Sequence, residues 1–186
     1  MEHYLSVPQA DSLDGISYQT VMLPVNTERP SGFDLNNDGQ IVSTVPDIPG
    51  SPDDGSVAPQ TDAGRAYGND AWGFGTFPGQ YGMALFVRDD LAVLRDSIRT
   101  FRLLRWHETP NASVALDATS FEPWYAPDEW AEMRLSSKSH WDVPVQRTNG
   151  AVLHVLASHP TPPSFDGGRA ATTTATTTRC SFGSTT

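Results

Sequence analysis

Apolar and β-branched residues concentrate in five short runs, and these runs predict five β-strands. The last two runs are separated by Thr148, Asn149 and Gly150, and the second run is followed by a turn at Asp89 and Asp90. Because this turn leads towards the third run, we expect the second and third strands to be neighbours in one sheet. The five runs cover residues 16–25, 81–88, 98–106, 139–147 and 151–158.

The last two strands form a predicted hairpin. Thr148, Asn149 and Gly150 lie between them, and Asn-Gly between two apolar runs is the strongest short-range signal for a β-hairpin. His140 stands at the start of the first strand, and His159 follows the end of the second. We therefore expect the hairpin to bring both histidines to one edge of the sheet.

A helix and a long irregular segment complete the pattern. Pro127, Asp128 and Glu129 are typical of the first turn of a helix, where proline leaves no hydrogen bond unmade and acidic side chains face the positive end of the dipole. We expect this helix to end near Ser136.

Residues 26–80 show no periodicity and contain turn residues throughout. No regular element is therefore predicted there, and residues 46–66 are expected to be flexible.

Composition limits the class of protein. A length of 186 residues suits one domain, and 22 acidic against 12 basic side chains give a net charge of −10, which argues against a basic patch for nucleic acid. The longest apolar run, Met83 to Val87, is too short to cross a membrane, and the first residues lack the pattern of a signal peptide. The single cysteine, Cys180, excludes an internal disulfide and a cysteine-based metal site.

His159 is the first candidate for chemistry. It follows a predicted strand and precedes Pro160, Pro162 and Pro163, which restrict the backbone leaving the sheet. A histidine held in this way can donate a hydrogen bond or a proton to a phosphate oxygen. The alternative is a histidine that only caps a turn.

A second candidate lies just before the hairpin. Residues 136–140 combine Ser136, Ser137, Lys138, Ser139 and His140, and Lys138 is the only lysine in the chain. Hydroxyls, an ammonium group and an imidazole in five positions suit an anion. The alternative is a solvated connector, because serine-rich turns are common.

Asp34, Asn36 and Asp38, followed by Gly39, match the first half of a calcium-binding loop. Position twelve of such a loop is Val45, which cannot supply a carboxylate, so a bound ion would need a distant ligand such as Asp70. This pattern supports a rival interpretation, a non-catalytic binding module stabilised by calcium. The alternative is an ordinary turn, in which Asp, Asn and Gly are the usual residues.

Four segments together resemble a bacterial branch of the endonuclease/exonuclease/phosphatase superfamily. They are PSGFDLNNDG, NDAWGFGTFPGQYGMALF, RLSSKSHWDVPV and VLASHPTPPSFDG, in that order. The resemblance covers residues 20–168 and implies an α/β (α+β) fold, part of the deoxyribonuclease I-like two-sheet β-sandwich with flanking helices. Residues 1–168 would be the central portion of one such domain.

The resemblance also implies a function, the hydrolysis of phosphodiester or phosphomonoester bonds with a divalent metal such as Mg²⁺. By position, His159 matches the superfamily's active-site histidine. His140, together with Lys138 and Ser139, falls where a phosphate-contacting side chain is often found, and Gln80 lies near the entry of the strand that borders the site. The implied partner is a substrate that contains phosphate.

The chain departs from the superfamily pattern at both ends. No metal-binding glutamate motif lies upstream of Ile16, and the Asp-x-Asn and Asp-His pairs expected after His159 are replaced by a Thr/Ala-rich segment. We therefore expect the isolated chain to be an inactive fragment. Residues 169–186 are expected to be a disordered tail that arises from a frameshift near Gly168.

Overall fold

The computed structural model describes residues 2–47 and 60–160. Helices and antiparallel sheets are both present, which confirms the α+β class predicted from the sequence. The described residues divide into two compact units. Unit 1 consists of residues 2–24, 83–101 and 140–158, and unit 2 consists of residues 25–47, 60–82, 102–139 and 159–160. The predicted tail 169–186 and its frameshift lie outside the described residues.

The regular elements are short, and two single 3-10 turns at Arg95–Ser97 and Trp106–Glu108 accompany them. In chain order they are α1 (Glu2–Leu5), β1 (Tyr18–Val21), α2 (Asp62–Asn69), β2 (Leu85–Arg88), β3 (Ala92–Val93), β4 (Arg99–Thr100), α3 (Pro127–Glu132), β5 (His140–Gln146) and β6 (Val152–Ser158). Among the described residues, no helix has the length and apolar character needed to cross a membrane.

Unit 1 contains two antiparallel sheets. One consists of β1 and β2, and the other has β5 at its centre, with β6 along one edge and β3 and β4 along the other. The predicted β5–β6 hairpin is confirmed: Gly150 has a φ of 84°, and Arg147 N donates to Ala151 O at 2.8 Å. A turn of this kind requires a residue with a positive φ, and Gly150 of the Asn-Gly pair adopts that conformation.

The expected pairing of residues 81–88 with residues 98–106 is wrong. The strand β2 pairs with β1, while β4 pairs with β5. A strand's partner depends on contacts far along the chain, and closeness in sequence is only a statistical guide. The strands are also shorter than the apolar runs predicted, with Tyr18–Val21 the regular part of the first run and Arg99–Thr100 that of the third.

The core of unit 1 forms where both sheets contribute apolar side chains. Trp141, Val143 and Val145 of β5 pack in one cluster with Val21 of β1 and Val87 of β2. Nearly all residues of β5 are buried. Their burial supplies the main stabilisation of this unit, at about 1.5–3 kcal/mol for each large apolar side chain.

Unit 2 has a separate core, built mainly from connecting segments. Its buried members are Leu35, Trp106, Ala115, Tyr125, Met133 and Leu135. The helix α3 borders this core and begins as predicted, with Pro127 in its first turn and Glu129 Oε2 accepting the N–H of Ala126 at 2.8 Å. It ends at Glu132, earlier than predicted, because Met133 leaves the helical region with a ψ of 128°.

The helix α2 was not expected from the sequence. It begins at Asp62 after the N-cap Thr61, whose Oγ1 accepts the N–H of Gly64 at 3.0 Å. Residues 62–66 therefore belong to a helix, and they lie inside the segment 46–66 predicted to be flexible; residues 48–59 of that segment lie outside the described residues. The helix is stabilised by the buried Tyr67 on its inner face.

Candidate functional site

Tyr81 lies at the end of a tight glycine-containing turn in unit 2. The turn is closed by two backbone hydrogen bonds, from Gln80 N to Phe77 O and from Gly82 N to Gly79 O, both at 3.1 Å. Gly79 has a φ of 86° and Tyr81 a φ of 60°. The left-handed conformation of Tyr81 is uncommon for a residue with a Cβ, and such conformations cluster at functional sites.

His159 is held against this turn. Its Nδ1 lies 2.9 Å from the backbone oxygen of Tyr81, and the two rings meet edge to face with centroids 6.4 Å apart. Because a carbonyl oxygen can only accept, Nδ1 carries the hydrogen. The neutral imidazole therefore presents Nε2 as the atom that can accept a proton, and the protonated imidazole presents an N–H there.

Lys138 meets the same tyrosine from another segment. Its Nζ lies 5.5 Å from the centroid of the Tyr81 ring, within the range of a cation–π interaction, and the residue is only 5% exposed. The backbone around it is tied down, since Asn26 N donates to Lys138 O at 3.0 Å and Lys138 N donates to Ser136 Oγ at 3.2 Å. We call Lys138, Tyr81 and His159 the Tyr81 cluster.

Two predicted site residues, Lys138 and His159, thus come together on Tyr81. Gln80 precedes Tyr81 in the sequence, but its Oε1 accepts hydrogen bonds from Thr76 N at 2.6 Å and Thr76 Oγ1 at 3.0 Å. The side-chain oxygen of Gln80 therefore stabilises the turn. Its predicted contact with substrate stays a prediction.

Ser139 and His140, the other predicted phosphate contacts, are both buried. Ser139 ends the unit 2 segment that carries Lys138, and His140 is the first residue of β5 in unit 1. In the hairpin, His140 pairs with Ser158, the residue that precedes His159. The roles of Ser139 and His140 in phosphate contact stay predictions.

Glu28 is a site residue that the sequence analysis missed. It is 3% exposed, and its Oε1 accepts the N–H of Gly75 at 2.9 Å. Burial raises the pKa of Glu28 to about 7, against the opposing effect of the Gly75 hydrogen bond. A carboxyl group buried in this way is unusual, but nothing in the local sequence VNTERP distinguishes it from a solvated turn residue.

Asn26, two residues earlier, was missed as well. Its Nδ2 donates to Arg102 O at 2.8 Å and to Ser136 O at 2.7 Å. The side chain is fully buried and connects three segments of unit 2 that are remote in sequence. It therefore supports the backbone from which Lys138 extends.

The calcium-like residues form a compact turn. Asp34 accepts the N–H groups of Asp38 at 3.1 Å and Gly39 at 2.7 Å, and Asn36 Nδ2 donates to Asp38 Oδ2 at 2.9 Å. Asp70, the suggested distant ligand, accepts from Leu35 N at 3.0 Å and Val42 N at 2.8 Å. Apart from the bond between Asn36 and Asp38, the donors in these bonds are backbone N–H groups, as in an ordinary turn.

Burial raises the pKa of Asp70, and the charges of Asp34 and Asp38 act in the same direction. The charges of Asp34 and Asp38 are therefore close enough to Asp70 to disfavour its ionised form. The calcium assignment stays a prediction.

The family resemblance implies a magnesium site. Within residues 2–47 and 60–160, no three side chains of His, Cys, Asp or Glu come together in a way that could hold a metal ion. The Tyr81 cluster has one histidine and no carboxylate, so its residues alone do not fit a magnesium ion. The chemistry available in the Tyr81 cluster is that of a lysine, a tyrosine and a histidine.

Comparison of the chain with protein-family models, with curated proteins and with solved structures gave no match. The resemblance to the endonuclease/exonuclease/phosphatase superfamily therefore stays a prediction from the sequence. The Tyr81 cluster is defined by its geometry alone: a buried ammonium group and an oriented imidazole beside one phenol ring.

Proposed function

We propose that this chain is part of a metal-dependent phosphoesterase of the endonuclease/exonuclease/phosphatase type, and that the Tyr81 cluster contacts the phosphate of its substrate. One observation supports the proposal above all others. The ammonium group of Lys138 and the imidazole of His159, which are 21 positions apart in the sequence, both lie against Tyr81.

The two side chains would have different tasks. Lys138 supplies an amino group with little exposure to water, and the attraction of its charged form for a phosphate oxygen is stronger there than it would be in bulk solvent. His159 offers Nε2, since Nδ1 is engaged by Tyr81 O. Protonated Nε2 can donate to a phosphate oxygen, and neutral Nε2 can accept the proton of an attacking water or hydroxyl group.

Local charge is important because the chain as a whole has a net charge of −10. An anionic substrate is repelled by most of such a protein and needs a site with its own cations. The proposal covers monoesters and diesters alike, since the cluster contacts the phosphate group that they share. It assigns no metal ligand among the described residues.

The test is a calorimetric titration of the purified chain with sodium sulfate, a tetrahedral dianion that cannot be hydrolysed. We expect Lys138→Met and His159→Ala each to weaken binding about tenfold to a hundredfold, since a hydrogen bond to a charged group contributes about 1.5–3 kcal/mol. His107→Ala is the matched control, because His107 is exposed in the 3-10 turn Trp106–Glu108.

Circular dichroism of each variant would show whether its fold is retained. Unchanged sulfate affinity in a folded His159→Ala protein would contradict the assignment of this histidine. An absence of sulfate binding by the unmodified chain at millimolar concentrations would contradict the phosphate-contacting role of the whole cluster.

A further inference from the structure

Residues 27 and 28 bind the backbone of the loop that carries Tyr81. We call residues 73–82 the glycine loop, since Gly73, Gly75, Gly79 and Gly82 lie in it. Glu28 N donates to Gly73 O at 2.7 Å, and Gly79 N donates to Thr27 O at 3.3 Å. With the bond from Gly75 N to Glu28 Oε1, this short segment contacts the loop at three of its four glycines.

Little space remains around the Glu28 carboxyl group. A Cβ placed on Gly68 of α2 would lie 2.8 Å from Glu28 Oε1, and a Cβ on Gly75 would lie 3.3 Å from Glu28 Cγ. The carboxyl group is therefore packed between α2 and the glycine loop. Only glycine at these two positions permits so close an approach.

The charged and titratable groups that face Glu28 offer no cation to neutralise it. Tyr67, from α2, donates its hydroxyl hydrogen to Glu28 O at 2.9 Å, and burial together with the charge of Glu28 raises the pKa of this tyrosine. Arg29, next in the chain, is exposed and acts on Tyr67 in the opposite direction. Among the described residues, Glu28 forms no ion pair.

We propose that Glu28 is a positioning residue for the Tyr81 cluster: its neutral carboxyl group keeps the glycine loop closed, and its ionised form opens the loop. The effect of Glu28 on anion binding by the Tyr81 cluster rests on the proposed function, whereas the movement of the glycine loop does not. Glu28 would act through the backbone of the loop, and it makes no contact with the substrate.

The direction follows from the cost of burying a charge. An unpaired carboxylate at this position is relieved most easily when the loop moves and admits water. Its glycines allow that movement at low conformational cost. Once the loop opens, the Tyr81 carbonyl no longer holds His159 Nδ1, and the imidazole loses its orientation.

The transition is expected at neutral pH, because the pKa of Glu28 is raised to about 7. The decisive experiment is amide hydrogen exchange of the full chain at pH 6 and pH 8, with each rate divided by its intrinsic rate at that pH. We expect the protection of the Gly75 and Gly79 amides to fall about tenfold at pH 8, relative to the amides of Val143 and Val145 in β5. Glu28→Gln, which keeps an oxygen acceptor for Gly75 N and cannot ionise, should show the same protection at both values.

Glu129→Gln is the matched control, since Glu129 is a second buried glutamate of unit 2 whose pKa is raised by burial. This variant should retain the pH dependence of the glycine loop. If the loop amides of the unmodified chain are equally protected at pH 6 and pH 8, the proposal is overturned, whether or not any variant folds.

Sulfate binding separates this proposal from the proposed function. Sulfate is a dianion at both pH values, so a loss of affinity between pH 6 and pH 8 comes from the protein. We expect the sulfate affinity of Glu28→Gln to fall much less between pH 6 and pH 8 than that of the unmodified chain. The affinity of His159→Ala, which keeps Glu28, should still fall over this range. If the loop responds to pH but sulfate never binds, the phosphate site is wrong and Glu28 keeps its role. If sulfate binds through Lys138 while the loop ignores pH, the role of Glu28 is wrong.

Discussion

The imidazole Nδ1 of His154, on β6, lies 2.7 Å from Oδ1 of Asp142, on β5. The second oxygen of this carboxylate accepts hydrogen bonds from the guanidinium group of Arg99 on β4, with Arg99 Nε at 3.0 Å. The Asp142 side chain is 3% exposed, whereas those of His154 and Arg99 are more than half exposed. One buried carboxylate thus connects three adjacent strands of unit 1.

Asp142 is expected to make the stability of unit 1 depend on acid pH. Burial alone would raise its pKa, but hydrogen bonds and charges from Arg99 and His154 outweigh burial and lower it. A depressed pKa means that the stabilisation is present above the ordinary value of 3.8 and is lost as the pH falls through the lower value of the folded state. Asp142→Asn should cost about 1.5–3 kcal/mol at pH 7, measured by urea unfolding.

The same variant should lose less stability than the unmodified chain when the pH falls from 5 to 2. Asp96→Asn serves as the control, because Asp96 is exposed in the 3-10 turn Arg95–Ser97. Equal unfolding free energies of Asp142→Asn and Asp96→Asn at pH 7 would contradict a stabilising role for the Asp142 interactions.

Gly73→Ala should strongly destabilise unit 2. A Cβ at this position would lie 2.1 Å from the backbone oxygen of Ser137, so the loop and the segment before Lys138 would have to separate. Forcing a methyl group into a packed contact typically costs about 1–3 kcal/mol. Gly64→Ala in α2 is the comparison, because its Cβ would meet two side chains and no backbone, Thr61 Oγ1 at 3.2 Å and Gln60 Cγ at 4.0 Å. Thermal unfolding should show the larger fall in Tm for Gly73→Ala, and the reverse order would argue against the close approach.

The calcium assignment of Asp34, Asn36 and Asp38 makes a separate prediction. If these residues bind Ca²⁺, a hundredfold excess over Kd should stabilise the chain by about 2.7 kcal/mol. Mg²⁺ should replace it poorly, because Mg²⁺ requires near-ideal octahedral geometry and loses its water ligands reluctantly. Asp38→Asn should reduce the effect, whereas the exposed Asp62→Asn should preserve it. A melting temperature that does not respond to millimolar calcium would leave these residues as a turn.

Local signals predicted the elements that depend on local interactions. The hairpin followed from Asn149-Gly150, and the start of α3 followed from Pro127 and the acidic residues after it. The helix α2 was missed because Gly64 and Gly68 lower its helix propensity, while burial of Tyr67 in the folded unit stabilises it. Strand pairing was mispredicted because the partner of β2 lies more than sixty residues earlier, in β1.

The candidate site was predictable only in part, for a similar reason. Lys138 and His159 stood out in the sequence by residue type and by position beside predicted strands. Tyr81 and Glu28 did not, because their importance depends on a left-handed turn and on contacts with Gly75 and His159 that are 47 and 78 residues away in the chain. Residue type reveals candidate chemistry, but the orientation and burial of these groups arise from tertiary contacts.

The hydrogen bonds of Asn26 have a consequence for the time at which unit 2 can form. Its side chain binds the backbone at Arg102 and Ser136, which are 76 and 110 residues further along the chain. At about 5–20 residues per second during synthesis, Asn26 is made roughly 5–20 seconds before Ser136. During this interval the amide must remain solvated or pair elsewhere. The order of synthesis thus makes the backbone around Lys138 one of the last parts of unit 2 to be completed.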